Sequence, residues 1–160
     1  MLLDIAARVS VGGQLPDKGK APIGDVLLVT AEDGHADTVR PRLDSQGADV
    51  SRIHVLESVE TSDGQETWLA LSEHTAPLER KIVELNAVLV EIDPISAYLG
   101  SQVDSYKSSD VRAMLSPLAK LAERTHAAIV AVIHMNKRSS ENNSLYRVGM
   151  SLDFIAAARS

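Results

Sequence analysis

Val26-Leu27-Leu28-Val29-Thr30-Ala31-Glu32-Asp33-Gly34 (VLLVTAEDG) runs five residues suited to a buried strand directly into two carboxylates and a glycine. A continuous apolar run of this length, ended by turn-forming residues, is the pattern of a strand covered on both faces. The same pattern recurs at Ala87–Ile92, which leads into Asp93-Pro94, and at Ala127–Ile133 (AAIVAVI), which leads into His134. Arg52–Leu56 is a shorter candidate of the same kind.

Between these strands lie helical patterns. Leu2, Ile5, Ala6 and Val9 recur at helical spacing over Met1 to Val11, and Gly12-Gly13 ends that pattern in the manner of a C-terminal cap. The polar, Gly/Pro-rich segment 12–24 reads as a loop. His35–Gln46 reads as a helix interrupted near Pro41 and closed by Gly47. Gln65–Leu85 is predicted broadly helical, divided at Pro77, with Asn86 in a left-handed capping position. Over Ser109–Arg124, residues Val111, Met114, Leu115, Leu118, Leu121 and Ala122 form one stripe, and Pro117 is expected to kink that helix or to mark a fresh first turn behind Ser116. Asn136–Gly149 is a long polar loop, and Leu152–Ala158 closes the chain with a short apolar segment. Apolar strands alternating with amphipathic helices predict an α/β domain with a mostly parallel sheet and helices on both faces.

Composition sets the outer bounds. A chain of 160 residues suits one domain that buries about 70% of its unfolded surface. With only 3% aromatic residues the core must be aliphatic. The formal charge of −6 argues against a protein coated for gripping nucleic acid, although it leaves room for one basic loop. There is no cysteine, which removes disulfides, zinc-thiolate centres and thiol nucleophiles. No apolar run reaches the roughly 20 residues of a membrane span, and the acid in MLLDIAARVS makes a poor signal peptide. A cytoplasmic location is the expectation.

In open parallel sheets, ligands bind beyond the carboxyl ends of the strands. Three strands here end in chemically capable groups, Glu32-Asp33, Asp93 and His134, and parallel pairing would bring all three to one rim. Each also has an ordinary structural use. Acids suit a helix N-terminus, Asp-Pro starts turns, and a histidine can simply end a strand. Taken together, they suit nucleotide hydrolysis. A strand-tip aspartate can hold Mg²⁺ through its water shell, and a neighbouring glutamate can polarise the attacking water.

The order VLLVTAEDG, RPRLDSQGADVSRIHVL, LVEIDPISAYLG, LAERTHAAIVAVIHMNK resembles the RecA-type ATPase core of P-loop NTPases. Within it, the order is most similar to the RepA-like branch of the AAA-family ATPases, relatives of hexameric replicative helicases. The resemblance covers nearly the whole chain, 1–160, read as a single partial RecA-like domain. It implies that Glu32 is the catalytic carboxylate, Asp93 the Walker-B acid that binds Mg²⁺ and ATP, and His134 the strand-end phosphate sensor. It implies that Arg159 is an arginine finger offered to a neighbouring subunit, and that Lys137, Arg138 and Arg147 lie in a DNA-contacting loop. The implied partners are further copies in a ring, possibly a hexamer, and DNA; no membrane is implied.

One family feature is missing from these residues. No G-x-x-x-x-G-K-[ST] occurs, although that phosphate loop and its strand would stand just before Leu2. The expectation is therefore a sheet truncated at its N-terminus and a chain unable to hydrolyse ATP alone. Two other readings stay open: a non-catalytic binding or assembly module on the same fold, and a hydrolase using His134 with Asp93. The latter lacks a G-x-S-x-G elbow.

Overall fold

A computed structural model describes residues 2–31, 34–61, 63–134 and 153–157. In chain order the regular elements begin with α1 (Leu2–Val11), β1 (Asp25–Thr30), a π-helical turn at His35–Val39 and α2 (Arg40–Ser45). They continue through β2 (Ile53–Val55), β3 (Val59–Glu60), β4 (Glu66–Thr67), α3 (Thr75–Leu85) and β5 (Ala87–Asp93). The last are α4 (Ser108–Thr125), β6 (Ala128–Ala131) and α5 (Asp153–Ala157). The main sheet has the order β2-β1-β5-β6, and every pairing in it is parallel. The chain is α/β, with a parallel four-stranded sheet flanked by helices, as its alternating pattern predicts.

The two-residue period of the strands sorts their side chains into two layers. Val26, Leu28 and Leu89 face Ala6, Ala7 and Val9 of α1 and Leu43 of α2. Leu27, Val29, Val90 and Ile92 face the opposite layer, where Leu78 and Ile82 of α3 meet Val111, Met114, Leu118 and Leu121 of α4. Each such aliphatic side chain taken fully out of water contributes about 1.5–3 kcal/mol. The Arg124 guanidinium grips the Glu79 carboxylate with two bonds of 2.8 and 2.6 Å, tying α4 to α3. Arg112 holds Asp153 at 2.6 Å, which seats α5 with its Phe154 against the core.

Several boundaries differ from those the sequence predicts. The stretch 65–74 is not helical. Glu66–Thr67 pairs antiparallel with Val59–Glu60, and the chain beyond it sends Leu69 and Leu71 into the core. The backbone donors there are taken from outside any helix: Leu71 N–H donates to the Tyr98 carbonyl at 2.7 Å, and Ala70 N–H to His74 Nδ1 at 3.0 Å. Pro77 does not divide a helix but lies in the first turn of α3, where a missing N–H costs nothing. Pro117 lies inside a continuous α4. Both it and Ala113, whose carbonyl loses a donor to the proline, sit on the exposed side, where water can serve. β6 is shorter than the apolar run suggests, and Asn86 adopts the expected left-handed cap at φ 50°, ψ 40°. The loop expected over 136–149 lies outside the described residues. Among the described residues, no helix is long and apolar enough to cross a membrane.

Beyond β5 the chain turns through a short 3₁₀ segment, Ile95–Tyr98, to Gly100, whose φ of +96° only glycine adopts freely. A Cβ at that position would also collide with Ser72 Oγ. Gly100→Ala is therefore expected to cost more than about 1 kcal/mol, read as a lower urea midpoint with unchanged m-value; an unchanged midpoint would show that the turn tolerates a side chain.

Candidate functional site

The carboxyl end of β5 is held between its two neighbours. Thr30 stands opposite Asp93 across β1, and Ile92 stands opposite Ala131 across β6. The ladder continues past the strand ends. Ala31 N–H donates to the Asp93 carbonyl at 3.2 Å, Val132 N–H to the Ile92 carbonyl at 2.9 Å, and Ile95 N–H to the Val132 carbonyl at 3.0 Å. Asp93 is thus fixed by backbone on both sides at the rim where parallel sheets bind ligands.

Register and pleat place Leu28, Thr30, Glu91 and Asp93 on one face of the sheet, beneath the first turn of α1. A small cavity of about 30 Å³ opens there. Leu2, Leu3, Leu28 and Val39 supply its apolar walls, while Thr30, Glu91 and Asp93 supply its polar lining.

Glu91 is the anomaly of this face. Its side chain is only 2% exposed, and neither carboxyl oxygen has a hydrogen-bond partner. Loss of hydration pushes its pKa up to about 8, opposed by the chain's amino group and reinforced by the nearby Asp93 carboxylate. At neutral pH Glu91 is therefore mostly a neutral acid inside the domain. Tyr98, on the other side of Asp93 in sequence, also has a buried hydroxyl without a partner. Burial, with Asp93 adding to it, raises the Tyr98 pKa as well.

Of the residues singled out from sequence, Asp93 ends β5 as anticipated. His134 is exposed and follows the end of β6 by three residues, on the same edge of the sheet. Glu32, Lys137, Arg138, Arg147 and Arg159 lie outside the described residues. Among the described residues, no three of His, Cys, Asp and Glu converge as a metal-binding group. Among the described residues, two carboxylates, Glu91 and Asp93, line this cavity and could serve a cation, with water completing its shell.

Sequence reasoning passed over Glu91 and Thr30. A signal for Glu91 was available in VLVEID: an acid two residues before a strand-tip acid must share its face. That this face is covered by α1, and the acid sealed in, is a tertiary fact.

A family model described as AAA domain matches residues 1–140, which span the entire described sheet. A search of curated proteins finds no match.

A carboxyl whose folded pKa lies above its unfolded value favours folding fully below the ordinary value of 4.5, and that advantage is lost as pH rises through about 8. In metal-free buffer, the wild type should lose on the order of 3 kcal/mol relative to Glu91→Gln between pH 4.5 and pH 7. Urea titrations across that range check this; parallel stability curves for the two proteins would show that Glu91 ionises normally.

Proposed function

The chain belongs to the AAA-domain ATPase family, and from that premise we propose that it is the RecA-like core of a RepA-like ATPase that binds Mg·ATP at the rim around Asp93. The observation that carries this reading is Asp93 itself, an oxygen donor locked at the tip of a central strand, opposite Thr30 and beside an enclosed acid. Hard carboxylate oxygens suit Mg²⁺, so the residues present fit the ion that the family implies. When bound, that ion neutralises charge on the phosphates.

The roles of the chain's own residues follow from position. Asp93 orients the hydrated cation. Glu32, which follows β1 by two residues, accepts the proton of the attacking water. His134, beyond β6, responds to the γ-phosphate and passes its loss to the segment that holds Lys137, Arg138 and Arg147. Those three cations suit contacts to a DNA backbone. Arg159 serves in trans, where a guanidinium on the transferring phosphoryl is worth about 10³–10⁵ in rate. A ring of copies, possibly six, coupled to DNA or to a replication partner, is the assembly in which these roles combine. Residues 1–160 are read as one domain, cytoplasmic in setting.

No G-x-x-x-x-G-K-[ST] stands among these 160 residues, and the backbone amides and lysine of that loop are what cradle phosphates. These residues alone are therefore expected to bind ATP weakly and to turn it over negligibly. The second reading is a non-catalytic assembly module on the same fold, which would use the sheet without binding phosphates.

Thermal melts with Mg·ATP separate the two. An affinity of about 1 mM would add about 1.4 kcal/mol of stability at about 10 mM nucleotide. The expected result is a rise in Tm that Asp93→Ala abolishes; no rise in the wild type at that concentration would overturn the nucleotide site and leave the assembly module.

A further inference from the structure

Glu91 is given no chemical role in the reading above, yet among the described residues it is the most deeply buried charged side chain. It sits in the middle of a strand buried on both faces, 2% exposed, with both carboxyl oxygens lacking partners. Burying an unpaired acid is costly. An aliphatic side chain at this position would pack against Leu28 and Leu3 without that cost.

We propose that Glu91 and Asp93 form a divalent-cation site that fills without nucleotide, Glu91 being its inner ligand and the cavity under the first turn of α1 its seat. The inference rests on the proposed function only in taking Asp93 as a cation ligand. It adds a second protein ligand and, with it, cation binding that needs no phosphate.

Geometry supports the pairing. The two residues share a face of β5 and lie two positions apart, about 6.6 Å along the strand. Two carboxyls at that spacing, the lower on the longer side chain, can approach one ion from below and from the rim. The Thr30 hydroxyl-bearing residue lines the same cavity opposite Asp93.

The size of the cavity restricts the occupant. About 30 Å³ is the room of a single water or a small ion, too little for any organic group. The donors are oxygens, with no sulfur or imidazole among the lining residues, which selects a hard cation. Two carboxylates with water completing the shell is the donor set of Mg²⁺ or Mn²⁺; Ca²⁺ asks for six to eight oxygens in a roomier site. The amino end of α1 brings about half a positive charge to this region and the chain's amino group adds to it, against two full negative charges once both acids ionise. The net field in the cavity then favours a cation.

Mn²⁺ alone, titrated without nucleotide and followed by the electron paramagnetic resonance signal of the free ion, tests the site. The wild type is expected to bind one Mn²⁺, and Glu91→Gln and Asp93→Asn are each expected to weaken it at least about tenfold. Wild-type affinity in Glu91→Gln together with weak binding in Asp93→Asn would overturn the inference and leave Asp93 as a cation ligand. Absence of binding by the wild type would also overturn it, without touching a site that needs nucleotide. Unchanged affinity in both variants would remove Asp93 as well. Should Glu91→Gln not fold, infrared difference spectra of the wild type on adding Mg²⁺ decide: two carboxyl groups responding support the site, and one responding overturns it.

Discussion

The parallel ladder that binds β5 to β1 on one side and to β6 on the other is the constraint on which the rest of this domain depends. A strand so placed has no exposed edge and no exposed face, so its middle must be apolar and its chemistry must collect at its end. Asp93 sits there because the chain can meet water again only there. The backbone bonds that continue past the tip, from Ala31 to Asp93 and from Ile95 to Val132, extend the rigid part of the sheet to the acid itself. A carboxylate held by two neighbouring strands loses little freedom when it meets a ligand, which is the form of preorganisation that binding sites use.

Glu91 breaks the rule that the ladder imposes, and the break is informative. Domains hold few buried polar groups without partners, and this one places two of them, Glu91 and the Tyr98 hydroxyl, in the surroundings of the same aspartate. Both have pKa values raised by burial and by the Asp93 charge. Electrostatic stress is thereby concentrated around a single strand tip, as it is where a protein arranges charge for a ligand. The other buried polar groups of the described interior have partners: Ser10 Oγ donates to the Ala7 carbonyl at 2.7 Å, and Asp153 accepts from Arg112 at 2.6 Å.

Fold class was legible because continuous apolar strands and 3.6-residue stripes are local patterns, and both survive packing. Val26–Thr30, Ala87–Asp93 and the α4 stripe needed nothing beyond their neighbours in sequence to be recognised. The failures were of another kind. The segment 65–74 reads as the start of the helix that follows it, but Tyr98, far along the chain, takes the N–H of Leu71 and holds it out of that helix. Pro117 looked like a break, yet its exposed position allows water to take the place of the lost donor. In each case the deciding partner was outside the window that a periodicity can see.

By itself, then, the order of residues determined that the chain alternates strand and helix, that its main sheet is parallel, and that an aspartate stands at the end of one of its strands. These follow from steric and hydrophobic preferences that act between near neighbours. Only the tertiary structure decided that β1, not β2, lies beside β5, that Thr30 meets Asp93 across that pairing, and that α1 closes over Glu91 to leave a water-sized cavity. Strand order and burial are properties of contacts between residues distant in sequence, and a carboxyl's charge depends on the solvent those contacts remove.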